Sequence, residues 1–107
     1  MPNNQSSAVL TVLSRHIGSG NGIAMKQLQM QLDMVPRHLR KLVSELRGEG
    51  HAICGTPGEG YFIAATAEEL QHTCEFLRSR AMHSLSLESK LRKIPLSDLL
   101  GQLHLPT

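Results

Sequence analysis

Arg37, Arg40, Lys41 and Arg47 fall within eleven residues of this 107-residue chain, with Glu45 the single acid among them. Residues 1–50 hold six Lys and Arg against three acids, and residues 51–107 five against six, so the net charge of +2 is concentrated in the first half. Cations grouped in this way suit an anionic polymer. Arg can bridge guanine O6 and N7 in the major groove of DNA, while Lys and Ser serve phosphate oxygens. The plainer alternative is a solvated basic face on a domain that contacts other proteins.

Other residue types that carry chemistry give less. His51 with Cys54, and His72 with Cys74, lack the paired ligand spacing of a structural zinc site. On a helix His72 and Cys74 would point about 200° apart. Both cysteines are expected as small apolar core residues, and no metal or cofactor is expected. The chain has no nucleophile elbow or HExxH pattern, and its glycine-rich stretch Gly55–Gly60 lies between strands rather than before a helix. Glu68 and Glu69 are accounted for by a helix start. A binding protein is expected, not an enzyme.

The elements that must position the basic cluster follow from periodicity. No Trp, one Tyr and two Phe leave a core of Leu, Met, Ile, Val and Ala, which favours helices. A first helix is expected after Ser6-Ser7, carrying Val9, Leu10, Val12, Leu13 and Ile17 and stopping at Gly18. Gly18–Gly22 reads as a loop and Ile23-Ala24 as a short strand. Met25, Leu28 and Leu32 have helical spacing that fades near Asp33, with Met30 off the buried face. Pro36 suits the first turn of a third helix. In it Leu39, Leu42, Val43 and Leu46 share one face, and Arg37, His38, Arg40, Lys41 and Ser44 project elsewhere.

After Gly48 and Gly50, the runs His51–Cys54 and Tyr61–Ala64 flank turn residues and predict a hairpin. Thr66 to Glu69 matches a capping box that opens a long helix. Leu70, Cys74, Leu77 and Ala81 predict its buried face. Leu85, Leu87, Leu91 and Ile94 imply a continuation or a second helix, closed by Pro95. Leu96 to Thr107 reads as a short helix and an extended tail. With no secretory signal and no apolar run near the ~20 residues a bilayer needs, a cytoplasmic protein with no membrane partner is expected.

Leu32 through Leu46, followed by Gly50, Ile53 and the Gly60–Ile63 strand, resembles the winged helix-turn-helix superfamily of bacterial and phage DNA-binding proteins. The resemblance covers about residues 7–80 and implies an α+β, mainly helical fold. It would have a three-helix core and a β-hairpin wing in residues 1–80, and a C-terminal helical extension in residues 81–107. It also implies double-stranded DNA as partner, contacted by Arg37, His38, Arg40, Lys41 and Ser44. The wing tip falls on Thr56 to Glu59, so Thr56 and Gly58 are further candidates, and Arg47 joins them from the basic cluster. Two positions depart from the family pattern. Val35 stands where a capping Ser or Thr is usual, and the wing turn carries Glu59 with no Lys or Arg. The expected role is that of a small phage or bacterial transcriptional regulator, or of a replication-associated DNA-binding protein.

The leucines beyond Ala81 exceed what a solvated tail needs, so a homodimer through the C-terminal helix is expected. Arg78, Arg80, Lys90, Arg92 and Lys93 either line a phosphate backbone or keep that helix soluble. The tail Gln102-Leu103-His104-Leu105-Pro106 resembles the peptide with which bacterial replication and repair proteins dock on the sliding clamp. Gln102, Leu103 and Leu105 would be its anchors, and Thr107 stands where a large apolar residue would finish it. The alternative function is therefore a protein–protein adaptor using the winged helix and this peptide.

Overall fold

The computed structural model describes residues 4–104. Its elements are α1 (Asn4–Leu13), α2 (Met25–Leu32), α3 (Pro36–Gly48), β1 (Ile53–Thr56), β2 (Gly60–Ile63), α4 (Ala67–Arg92) and α5 (Leu96–Gln102), with a 3-10 turn at Ser19–Asn21. The architecture is α+β and mainly helical, with a two-stranded antiparallel sheet. The chain divides into two compact units, residues 1–73 and 74–107, and the division falls inside α4. No described helix is long and apolar enough to cross a membrane.

In the first unit a single buried cluster joins Val9 and Leu13 of α1, Ile23, Leu28 of α2, Leu39, Leu42, Val43 and Leu46 of α3, and Ile53 of β1. All four apolar residues expected on one face of α3 are buried. Met30 lies off the α2 face and is 76% exposed. The helix boundaries differ from expectation at α1, which includes Asn4 and stops at Leu13 rather than near Gly18. Ser6 is buried within it, not placed as a cap. The early stop has a cause in β2. The Ile63 N–H donates to the His16 carbonyl at 2.8 Å, and the Gly18 N–H donates to the Ile63 carbonyl at 2.9 Å, which diverts this backbone from the helix.

The strand expected at Ile23-Ala24 is reduced to an isolated antiparallel bridge, in which Ile23 and Tyr61 exchange hydrogen bonds of 2.8 and 2.9 Å. The hairpin turn is tighter than Gly55–Gly60: Gly55, Thr56 and Gly60 join the strands, in the register Ile53 to Ile63 and Thr56 to Gly60. Backbones meet closely here. A Cβ on Gly22 would fall 2.0 Å from the Glu59 carbonyl oxygen, and one on Gly60 would fall 2.7 Å from that of Ile23, at a φ of +72°. Only glycine lets the hairpin lie this close to the segment leading into α2.

α4 is one unbroken helix to Arg92, and Pro95 stands as the N-cap of α5. The expected buried face of α4 needs correction. Cys54 is buried but Cys74 is exposed, as are Leu70 and Leu77, whereas Thr73 is buried. The Gly55 N–H donates to Thr73 Oγ1 at 3.2 Å, so the hairpin meets the Thr73 side of the helix, about 100° from Cys74. In the second unit Ser89, Leu99 and Leu100 are buried, while Leu87 and Leu91 are exposed.

Gly22→Ala is expected to cost about 1–3 kcal/mol in urea denaturation, as overpacking against fixed backbone does. Gly20→Ala, with nothing within 4 Å of the added carbon, should stay within about 0.5 kcal/mol of the wild type.

Candidate nucleic-acid interface

The site begins at the turn between α2 and α3. Asp33 takes the left-handed conformation at a φ of 51°, and its N–H returns to the Gln29 carbonyl to end α2. Asp tolerates this region better than most residues. Val35 is extended and makes no side-chain cap, so the start of α3 is fixed by Pro36 at its first position. The three residues 33–35 therefore reverse the chain, and α2 packs against α3.

At roughly 100° per residue, the buried Leu39, Leu42, Val43 and Leu46 set the other side of α3 outward. Arg37, Lys41 and Ser44 lie nearly opposite them, with Arg40 and Arg47 on one flank and His38 and Glu45 on the other. Arg37, Arg40, Lys41 and Ser44 are exposed. Among the described residues no ion pair engages Arg37, Arg40 or Lys41. The other two expected contacts are used inside the protein. His38 Nε2 lies 2.8 Å from Gln5 Oε1 on α1. The Arg47 Nε–H donates to the Ile53 carbonyl at 2.8 Å.

The hairpin turn differs in charge. The Thr56 hydroxyl donates to Glu59 Oε1 at 2.6 Å, and His72 Nε2 is 3.8 Å from the same oxygen. Thr56 thus spends its donor on a neighbour, and the turn presents a carboxylate beside an imidazole. Gly58 is exposed, with open space around it. Val35, 63% exposed just ahead of Arg37, adds an apolar surface beside the cations.

The C-terminal candidates are placed otherwise than expected. Gly101 lies inside α5, Gln102 is the last residue of that helix, and Leu103 is its C-cap. Gln102 and Leu103 are exposed. They therefore stand on a helical turn and not on an extended tail. Leu105 lies outside the described residues. Two of the C-terminal cations have partners on α4: Arg92 Nε bonds Glu88 Oε2 at 2.7 Å, and the Arg80 guanidinium sits 5.8 Å from the Phe76 ring centroid. Among the described residues no group of three or more His, Cys, Asp or Glu could hold a metal ion.

The capping box of α4 forms, and its glutamate reaches beyond it. Thr66 Oγ1 accepts from the Glu69 N–H at 3.1 Å, as expected. The Glu69 carboxylate, expected to reach the Thr66 N–H, is lowered in pKa by that group and accepts more strongly from the Ser19 N–H at 2.8 Å and the Ala65 N–H at 2.7 Å. These bonds, the one from Ser19 foremost, hold its pKa below the ordinary glutamate value of 4.5. Glu69 so clasps the 3-10 turn to the start of α4. Its partner is fifty residues away in sequence, beyond the reach of a local motif.

No family model, curated protein or solved structure matches the chain significantly.

A carboxylate whose folded pKa is depressed stabilises the fold above its ordinary pKa, and that contribution is lost as pH falls through the folded value. Glu69→Gln should therefore lower Tm at pH 7, with the gap to the wild type closing as the pH is taken below 4.5. Melting curves recorded from pH 7 to pH 3 check this; a gap independent of pH would contradict the clasp.

Proposed function

We propose that this chain is a winged helix-turn-helix protein that holds double-stranded DNA through α3, acting as a small transcriptional regulator or replication-associated protein rather than as an enzyme. The observation that carries this is the free basic face of α3. Arg37, Arg40 and Lys41 stand in solvent on the side away from Leu39, Leu42, Val43 and Leu46. A helix enters the major groove readily, and this one would bring Arg37 toward base edges with Arg40, Lys41 and Ser44 toward phosphates. Val35 offers a surface for a thymine methyl. The element order, with the short α2–α3 turn and a hairpin after α3, supports the same assignment.

The hairpin contributes differently from a basic wing. Glu59 repels phosphate, so any contact from this turn is made by backbone N–H groups near Gly58. The exposed Leu87 and Leu91 support a homodimer, and a two-fold pair would offer two recognition helices to two half-sites.

Replacing Arg37, Arg40 and Lys41 together with Ala should weaken duplex binding and flatten its salt dependence, because each lost phosphate contact removes about 0.9 from the log–log slope. Fluorescence anisotropy at several salt concentrations measures both, with circular dichroism to verify folding. Unchanged affinity in the folded triple variant would refute the placement. Light scattering should report a dimer for the full chain and a monomer for the double variant Leu87→Lys, Leu91→Lys; a wild type that stays monomeric at high concentration would remove the dimer.

A further inference from the structure

Arg47 belongs to the basic cluster by sequence, yet its geometry separates it from its neighbours. It is half-buried on the last turn of α3, and its Nε–H is committed to the carbonyl of Ile53, the first residue of β1. The intervening residues form a compact reversal. The Gly50 N–H bonds the Arg47 carbonyl at 3.0 Å, the His51 N–H bonds that of Leu46 at 3.1 Å, and Gly50 adopts a φ of +98°. Ile53 itself is buried in the cluster that holds Leu42, Val43 and Leu46. The Arg47 bond thus closes a loop from the C-terminal end of α3 to the root of the hairpin, next to the packing that fixes the helix.

We propose that Arg47 is a positioning residue and not a phosphate contact: its Nε–H locks the hairpin root to the end of α3, and so sets how the Arg37, Arg40 and Lys41 face meets the duplex. This rests on the DNA-binding reading and narrows it. The charge of Arg47 is dispensable, whereas its donor is required. Gln separates these properties, because its amide nitrogen stands the same number of bonds from the backbone as Arg Nε and can donate to the Ile53 carbonyl without a charge. Met has similar length and no donor.

The test compares wild type, Arg47→Gln, Arg47→Met and Arg40→Ala for duplex binding by anisotropy across a salt series. Arg47→Gln should keep both the affinity and the salt slope of the wild type. Arg47→Met should lose affinity up to roughly tenfold, the effect of one neutral hydrogen bond, while keeping the slope. Arg40→Ala should reduce the slope by about 0.9. A merely structural role would lower the melting temperature of Arg47→Met without changing the affinity of its folded fraction, and that result would overturn the proposal. So would a slope reduced by about 0.9 in both Arg47 variants, since it makes Arg47 a phosphate contact. If the wild type shows no salt-dependent duplex binding, the DNA-binding reading falls and this proposal with it, an outcome distinct from a wild type that binds while Arg47→Gln loses slope.

Discussion

The burial of one face of α3 is the constraint on which the rest of the first unit depends. Leu39, Leu42, Val43 and Leu46 are each at most 2% exposed, and α1, α2 and Ile53 contribute to the same cluster. Turning α3 by a single residue, about 100°, would carry Arg40 and Arg47 toward the core and leucines into water. Burying an unpaired cation costs several kcal/mol, and each leucine exposed forfeits about 1.5–3 kcal/mol. The outward direction of Arg37, Lys41 and Ser44 is therefore a consequence of core packing. No separate device is needed to present them.

Around this helix polar bonds fix the backbone of the segments packed against it. Gln5 engages His38 near the start of α3, and Ile53 engages Arg47 at its end. The hairpin is held on its other side by the close backbone pairing at Gly22, Ile23 and Gly60, and by Thr73 beneath Gly55. Glu69 then joins the 3-10 turn to the head of α4. Each of these bonds uses a backbone group as one partner, except that between His38 and Gln5. Such contacts hold geometry firmly, because the backbone partner has no rotamer to change.

Much of this was legible in the sequence because it is local. The four apolar positions of α3, Pro36 at its first turn and Thr66 at the head of α4 each follow from spacing or from a single residue's conformational preference. What the sequence concealed depends on distant partners. Cys74 looked like a core residue by helical spacing, but α4 turns Thr73 inward because a hydrogen bond from Gly55 draws it there. Glu69 resembled an ordinary capping glutamate, though its carboxylate serves Ser19. His38 and Arg47 were indistinguishable from the exposed cations by residue type, and only their partners Gln5 and Ile53 set them apart. Gly101 gives no helix signal by residue type, yet a glycine with open space around it can remain helical.

The most direct measurement of the central claim, that duplex DNA is held by the outward face of α3, is a nuclear magnetic resonance titration of the ¹⁵N-labelled full chain with a short duplex. The account predicts that the amide signals of Val35, Arg37, Arg40, Lys41 and Ser44 shift together and saturably, while those of α5 remain in place. Shifts confined to α5 and the end of α4, or none at saturating duplex, would contradict it.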